Sequence, residues 1–205
     1  TASNVVVFLA RGRVAFSVCL TACSTLLAIL LTPWLTHLYA GHYLPVDPWV
    51  LMKSIFYIVL IPLLLGLSLK KFYPTIARCS ADFSPLLSVL FILLIVGFVL
   101  AAKRETFLYH WQAMMGAGFL LHSGGFALGY VLPCLLREER DVSRTLSIEV
   151  GMQNSGLGMA LASKHFSSMP MVPAPCALSA VMHCLIGSVL AAIWNRSSNQ
   201  YAEKK

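Results

Sequence analysis

The sequence predicts an all-α integral membrane protein, and its composition, apolar runs and charge placement each support that fold class. Of the 205 residues, 58% are apolar and only 11% are charged, whereas soluble domains average about 45–50% and about 25%. Several runs of about 20 apolar residues, the length a helix needs to cross a bilayer, are separated by short polar connectors. This pattern is typical of a multi-pass membrane protein rather than of a soluble domain.

The apolar runs that are long enough to cross the membrane lie at residues 14–35, 50–69, 83–102, 112–133 and 172–194. Residues 1–9 look like the last turns of another span, so we expect this chain to be part of a longer protein with further helices upstream. Residues 143–165 form a weaker candidate span. It is interrupted by Gly151, Gly156 and Gly158.

The basic residues are distributed unequally between the two sides of the membrane. If every segment crosses, including 143–165, successive connectors alternate sides, and one side receives most of the 15 lysines and arginines. They are Arg11, Arg13, Lys70, Lys71, Arg78, Arg137, Arg140, Arg144, Arg196, Lys204 and Lys205. The positive-inside rule places this side and the C-terminus in the cytoplasm. Loops beside anionic lipid thus explain the net charge of +7, and no nucleic-acid partner is needed.

Glu149 is the one acidic residue that falls inside a predicted span. A carboxylate near the centre of a membrane helix costs about 2.5–3.5 kcal/mol and usually faces a cavity or a partner. Because no lysine or arginine lies well inside another span, a bound cation is the simplest compensation. The alternative is a glutamate at the cytoplasmic end of its helix, either protonated or snorkelling to the interface.

The neighbours of Glu149 favour a hard cation such as sodium. Gln153 and Asn154 provide neutral side-chain oxygens, and the three nearby glycines would let the helix unwind and release main-chain carbonyls. Broken helices of this kind bind ions and substrates near the midplane of many transporters. The glycines could instead serve close helix packing. We expect no transition metal, because the six cysteines lack the spacing of metal ligands.

A second group of side-chain oxygens lies at the start of the chain. Thr1, Ser3 and Asn4 come first, and Ser17 and Thr21 follow on the next span, four residues apart and so on one helix face. Together with Glu149 they predict a polar pocket formed by three segments. The alternative for the two span residues is back-bonding to carbonyls of their own helix.

Two histidines lie in the middle of apolar spans, His122 in FLLHSGG and His183 in AVMHCLIG. A lone neutral histidine within a helix bundle is more often a packed, hydrogen-bonded residue than a ligand. Of the two, we favour His183 for a substrate role. The two halves of the chain also share a pattern, in which an asparagine-containing break precedes a connector and a long apolar helix, as in inverted-repeat transporters.

Several motifs together resemble the bile acid:sodium symporter family, in its bacterial and plastid forms. They are EVGMQNSGLG (149–158), TASNVV (1–6), LARG (9–12), the Ser17/Thr21 pair and PCALS (175–179). The resemblance implies an inverted-repeat fold of ten helices. This chain would cover the second half of helix 4 through helix 10, with helices 4 and 9 broken where they cross.

The resemblance also implies a division into two domains. Residues 1–36 (the end of helix 4 and helix 5) and 111–195 (helices 8, 9 and 10) would form the core domain. Residues 49–103, helices 6 and 7, would form the panel domain. Residues 196–205 would be a cytoplasmic tail.

Site residues follow from the resemblance, motif by motif. The first sodium site would use Ser3, Asn4, Ser17, Thr21 and Glu149. The second would use Glu149, the main-chain carbonyls of Val150 and Met152, and Gln153, with a glutamine from a helix further upstream. Thr1 and Asn154, at the crossing, would contact substrate, and His183 would line the cavity. Cys184 stands where some relatives have asparagine, so the identity of the substrate does not carry over.

By the same resemblance the protein would be a symporter that couples sodium flow to transport of a small organic anion by alternating access. The anion would be bile-acid-like, pantoate-like or 2-keto-acid-like, Na⁺ the coupling ion, and no other cofactor is expected. The location would be a bacterial inner membrane or a plastid envelope, with the C-terminus cytoplasmic or stromal. A passive channel and an intramembrane enzyme using Glu149 are the alternatives, but the sequence contains no HExxH or GxSxG motif and no filter-like loop.

Overall fold

The computed structural model describes residues 2–43, 46–102, 104–166, 169 and 171–202, and within these ranges it is helical and contains no strand. In chain order the helices are α1 (Ala2–Leu9), α2 (Val14–Ala40), α3 (Pro48–Ile55), α4 (Ile61–Phe72), α5 (Pro74–Ala102), α6 (Arg104–Leu135), α7 (Arg140–Gly151), α8 (Ser155–His165) and α9 (Pro173–Ala202). A π-helical turn, Phe56–Leu60, joins α3 to α4. The all-α prediction is confirmed for this part of the chain.

Four helical segments among the described residues are long and apolar enough to cross a membrane, and they match four of the predicted runs. These segments are Val14–Ala40, Pro48–Phe72, Phe107–Leu135 and Pro173–Arg196. A fifth is obtained if the two parts of α5, Pro74–Ala81 and Leu86–Ala102, count as one span across a bend of 56°. Many of their large apolar side chains are exposed, where lipid would cover them. The chain is therefore a multi-pass membrane protein.

The helices are longer than the apolar runs that predicted them. The predicted connectors at 70–82 and 103–110 are largely helical where they are described, α2 continues into the one at 37–48 as far as Ala40, and α9 extends into the predicted tail at 196–205. A helix satisfies its own backbone hydrogen bonds whatever its side chains are, so a charged residue does not by itself end one. A cap does mark the start of α3, where Asp47 accepts two backbone N–H groups.

The weak span predicted at 143–165 consists of two short helices, α7 and α8, with a break at residues 152–154. Neither helix is long enough to cross a bilayer alone, since α7 has 12 residues and α8 has 11. The broken helix predicted around the glutamate is thus observed in the structure. That the pair crosses the membrane stays a prediction.

Helix α7 packs closely against α6, and glycines of α6 make that approach possible. A Cβ atom at Gly129 would lie 2.7 Å from the carbonyl oxygen of Leu146, and one at Gly125 would lie 3.0 Å from that of Val150. These two glycines are four residues apart on one face of α6, the spacing that brings membrane helices together. Seven residues of α7 are buried, so the helix that carries Glu149 is firmly held.

At one end of the molecule, the turn between α1 and α2 contacts α7 and α9. Arg13 forms ion pairs with Asp141, at 2.6 Å, and with Glu139, and its backbone N–H donates to Thr145. Arg11 donates to Asn195 on α9 at 3.0 Å. Two of the connectors that the charge pattern assigned to one side of the membrane, 11–13 and 137–144, therefore meet at one end of the fold, beside the later part of α9.

The π-helical turn at Phe56–Leu60 separates two helices with different surroundings. Helix α3 buries Leu51, Ser54 and Ile55, and Ser54 lies within hydrogen-bonding distance of His165 at the end of α8, at 2.8 Å. Among the described residues, α4 buries none. The wider turn changes which face of the following helix points toward the protein.

Candidate functional site

The chain leaves the helical conformation between α7 and α8, where the sequence predicted a broken helix. Met152 has an extended backbone (φ −91°, ψ 119°), and its N–H completes α7 by donating to the carbonyl of Ile148. Asn154 begins α8, because its side-chain oxygen accepts the N–H of Leu157 at 3.1 Å. The negative end of one half-helix dipole and the positive end of another thus meet at residues 152–154.

Glu149, in the last turn of α7, is contacted by side chains from α1 and α2. Ser17 Oγ lies 2.7 Å from Glu149 Oε1, and Thr21 Oγ1 lies 2.7 Å from Glu149 Oε2. The same two hydroxyls face the side-chain oxygen of Asn4, at 2.6 and 3.4 Å. Ser17 is fully buried, and the other three residues are half-buried. We refer to these four residues as the Glu149 cluster.

With Glu149 ionised and the Asn4 side-chain oxygen turned toward the two hydroxyls, the Glu149 cluster holds more hydrogen-bond acceptors than protons. A serine or threonine hydroxyl has one hydrogen, so Ser17 and Thr21 together can donate at only two of the four contacts at any moment. At the other two, oxygen lone pairs face each other, beside a carboxylate. A cation among these oxygens would reduce the repulsion between the facing lone pairs, and it would also balance the negative charge of the carboxylate. A carboxylate combined with hydroxyl and amide oxygens is a ligand set for a hard ion.

Two other predicted ligands near the break are engaged in local hydrogen bonds. Gln153 donates its side-chain amide to the carbonyl oxygen of Val150 at 2.9 Å, so two residues predicted for the second sodium site bond to each other. The side-chain oxygen of Asn154 caps α8. Ser3 is half-buried on α1, next to Asn4. The structure therefore brings together four of the five side chains predicted for the first site.

The remaining predicted residues lie in other surroundings. His183 is buried on α9, and its ring packs against that of His122 with centroids 5.3 Å apart. Met152 is half-buried and packs against the apolar cluster that includes Val6 and Val7 of α1. Thr1 lies outside the described residues, so its predicted contact with substrate stays a prediction.

Two of the three glycines near the break, Gly151 and Gly158, serve packing, which was the alternative interpretation of them. A Cβ atom at Gly151 would overlap the ring of Phe126, and one at Gly158 would lie 3.1 Å from Cys176 Sγ. Within the described ranges no glycine has a positive φ angle. Met152 has left the helical conformation instead. Gly151 therefore admits the Phe126 ring, and the interpretation that the glycines let the helix unwind stays a prediction.

His122 participates in a polar network that sequence reasoning missed. It lies fully buried on α6, with Nδ1 2.9 Å from the carbonyl oxygen of Gly151 and Nε2 2.8 Å from Ser179 Oγ on α9. The Ser179 hydroxyl lies 2.9 Å from that of Ser155, the first residue of α8. One signal was available in the sequence: His122 shares a face of α6 with the glycine pair at 125 and 129, which marks a helix contact.

Comparison with known proteins bears on the same residues. Residues 1–110 match the model of the Sodium Bile acid symporter family, and they contain Asn4, Ser17 and Thr21 of the Glu149 cluster. The chain belongs to this family. The family resemblance inferred from the motifs is therefore confirmed.

Relatives of this symporter family extend the similarity through α9. The chain is 40% identical over 203 residues to the probable sodium/metabolite cotransporter BASS1 of Arabidopsis thaliana chloroplasts, covering 99% of this chain and 50% of that protein. It is 43% identical over 194 residues to the BASS1 cotransporter of Oryza sativa subsp. japonica, covering 95% and 48%. The uncharacterized sodium-dependent transporter YocS of Bacillus subtilis is 43% identical over 197 residues, covering 96% and 60%.

The chain thus spans about half the length of the chloroplast relatives and somewhat more of the bacterial one. All three symporter-family relatives carry the names of transporters rather than of enzymes. The ten-helix inverted repeat, the helix numbering and the core and panel domains stay predictions.

Proposed function

We propose that the protein is a sodium-coupled symporter that moves a small organic anion across a membrane by alternating access, with Glu149 as the central sodium ligand. The observation that carries the proposal is the surplus of oxygen acceptors in the Glu149 cluster. Four side chains from α1, α2 and α7 converge there, although only two hydroxyl protons are available to them. Sodium fits this site because it is satisfied by oxygen lone pairs alone. The sodium-dependent names of the relatives support the same ion.

Ser3 completes the first sodium site in this proposal, since it neighbours Asn4 on α1. A second sodium would bind to Glu149, Gln153 and the main-chain carbonyls of Val150 and Met152. Binding there requires the side chain of Gln153 to release the Val150 carbonyl and turn its own oxygen toward the ion. A glutamate that serves both ions would couple their binding.

The substrate would bind at the break, where the N-terminus of α8 provides partial positive charge for an organic anion. Thr1 and Asn154 would contact it and His183 would line its cavity. We propose an anion of the bile-acid, pantoate or 2-keto-acid class, carried in a bacterial inner membrane or a plastid envelope. The excess of basic residues at the Arg13 end supports a cytoplasmic or stromal C-terminus.

Two sodium ions that cross a potential of 100 mV release about 4.6 kcal/mol, at about 2.3 kcal/mol per charge. This free energy would sustain a concentration gradient of about a thousandfold for a neutral substrate. Since an anion moves against the potential, each negative charge on the substrate costs about 2.3 kcal/mol, which offsets the free energy released by one sodium ion. Two ions would therefore still drive uptake of a monoanion.

The test is Glu149→Gln, which keeps the shape of the side chain and removes its charge. The complete protein is reconstituted in liposomes, and uptake of radiolabelled pantoate, a 2-keto acid and a bile acid is measured in sodium and in potassium. We expect sodium-stimulated uptake to disappear from the variant. Glu138→Gln, in the exposed connector before α7, is the matched control and should transport normally. Undiminished sodium stimulation in Glu149→Gln would overturn the proposal, and sodium-independent flux through the unaltered protein would favour a channel.

A further inference from the structure

The contacts of His122 determine which of its ring nitrogens carries the proton. The carbonyl oxygen of Gly151, 2.9 Å from Nδ1, can only accept a hydrogen bond, so Nδ1 is the donor. Its other partner is the hydroxyl of Ser179, at 2.8 Å from Nε2. Neither partner carries a charge that would offset the burial of an imidazolium. His122 is therefore a neutral imidazole with its hydrogen on Nδ1.

The direction of the remaining hydrogen bonds follows from that tautomer. Because Nε2 of His122 is then an acceptor, the Ser179 hydroxyl donates to it. That step uses the one hydrogen of Ser179, so the Ser155 hydroxyl donates to Ser179 in turn. The result is a chain of three hydrogen bonds from the start of α8, through α9 and α6, to the end of α7. In this chain every hydroxyl and ring nitrogen has a partner.

The Gly151 carbonyl needs this donor because of the break. In an unbroken α-helix it would accept the backbone N–H four residues on, that of Ser155. The break at residues 152–154 removes that partner, and a buried carbonyl without a donor is costly. His122 supplies the hydrogen bond from another helix. One turn further along α6, the Phe126 carbonyl accepts the hydroxyl of Ser147 at 2.7 Å, which holds α7 to the same face.

We propose that His122 is a positioning residue for the sodium sites, and this inference rests on the proposed function. Gly151 lies two residues after Glu149, and its carbonyl stands between those of Val150 and Met152, the proposed ligands of the second ion. The hydrogen bond from His122 Nδ1 holds the Gly151 carbonyl toward α6. It thereby sets the orientation of the peptide groups before and after Gly151. The position of Glu149 relative to α1 and α2 is set by the same contact.

Three substitutions at His122 separate positioning from simple packing. An asparagine amide lies as many bonds from the backbone as Nδ1 does, so His122→Asn keeps the donor to Gly151. His122→Gln extends to the position of Nε2 instead, toward Ser179, and His122→Leu removes both hydrogen bonds at similar volume. The quantity measured is the sodium concentration that gives half-maximal uptake, with the maximal rate and the thermal unfolding midpoint determined for each variant.

We expect the half-saturating sodium concentration to rise at least about fivefold in His122→Leu and His122→Gln, because the hydrogen bond that holds the Gly151 peptide in its sodium-binding orientation contributes about 1 kcal/mol. His122→Asn should stay within about twofold of the unaltered protein, and the maximal rate at saturating sodium should change little in all three. Equal shifts in His122→Asn and His122→Gln, or no shift in His122→Leu, would overturn the inference. If His122→Leu does not fold, the comparison of the other two variants still decides.

A measurement independent of transport examines the tautomer directly. In ¹⁵N NMR spectra of histidine-labelled protein, the His122 signals are assigned by their loss in His122→Asn. The inference requires a protonated Nδ1 and an unprotonated Nε2, and the reverse tautomer or an imidazolium would refute it. Persistent sodium stimulation in Glu149→Gln would instead refute the proposed function, while the tautomer would be unaffected, so the two failures are distinguishable.

Discussion

Two polar clusters flank the last turn of α7, and they differ in how their hydrogen bonds are balanced. Toward α1 and α2, the Glu149 cluster has four oxygen contacts, at 2.6–3.4 Å, and two hydroxyl protons to serve them. Toward α6 and α9, the His122 network has three contacts, each with its own proton. Both clusters contain serine hydroxyls that link neighbouring helices, so the presence of polar groups alone does not distinguish them.

The balance of hydrogen-bond donors and acceptors therefore distinguishes a binding site from a structural network inside this membrane protein. A buried network in which donors and acceptors match is complete by itself and fixes the backbone it touches. A cluster with surplus acceptors and a carboxylate is incomplete until something positive binds. In this protein the complete network holds the break in place, and the incomplete cluster is the proposed ion site.

The largest effect is expected from removing one oxygen of the Glu149 cluster without changing its shape. Thr21→Val should raise the half-saturating sodium concentration about 10- to 100-fold, because a hydrogen bond to a charged group contributes about 1.5–3 kcal/mol. Thr21→Ser retains the oxygen and should change it much less. Sodium titration of uptake in liposomes measures both. If valine and serine gave the same shift, the threonine oxygen would not be a ligand.

A smaller effect, on folding stability, is expected on the face of α7 that packs against α6. Gly151→Ala places a methyl group against the ring of Phe126 and should lower the free energy of unfolding by about 1–3 kcal/mol, the usual penalty for overpacking. Gly156→Ala is the matched control, since the nearest atom to its Cβ, Asn154 Oδ1, is 3.9 Å away. Thermal or denaturant unfolding in detergent compares the two. Equal stabilities would mean that the α6–α7 contact is looser than the structure shows.

The smallest effect concerns the exposed Arg13–Asp141 pair, whose charges already compensate each other. Burial alone would raise the pKa of Asp141, but the hydrogen bond from Arg13 and the backbone contacts hold that pKa below its ordinary value of 3.8. The ionised carboxylate therefore stabilises the folded state fully above pH 3.8, and this contribution is lost as the pH falls through the lowered folded-state pKa.

Asp141→Asn should accordingly lower the unfolding midpoint slightly at pH 7, and the difference from the unaltered protein should shrink as the pH falls below 3.8. Thermal unfolding in detergent at a series of pH values follows this difference. A gap that widened in acid would show that the interaction depends on something other than the charge of Asp141.

The sequence was sufficient to predict the membrane helices and the Glu149 cluster. A carboxylate without a basic partner inside an apolar span has few ways to be stabilised, so the search for oxygens that could surround it was narrow. Ser17 and Thr21 share a helix face by their spacing alone, and Asn4 lies in the polar segment TASN at the start of the chain.

The His122 network and the pairing of Arg13 with α7 could not be predicted in the same way. A histidine is satisfied by a carbonyl, a hydroxyl or a ligand, and the choice depends on which helix faces it, which periodicity does not specify. The sequence also misplaced the ends of several helices. Apolar runs mark the side chains that contact lipid, whereas α2, α6 and α9 extend beyond these runs because a helix satisfies its backbone hydrogen bonds internally.

The π-helical turn at Phe56–Leu60 also affects how freely the sequence on each side of it can vary. Residues 48–55 are constrained by specific neighbours, since α3 presents Leu51, Ser54 and Ile55 to the protein interior. Residues 61–72 bury no side chain among those described, so any apolar residue with good helix propensity suffices there. Mutational scanning of this single continuous segment should therefore show strict selection before the turn and broad tolerance of apolar exchanges after it.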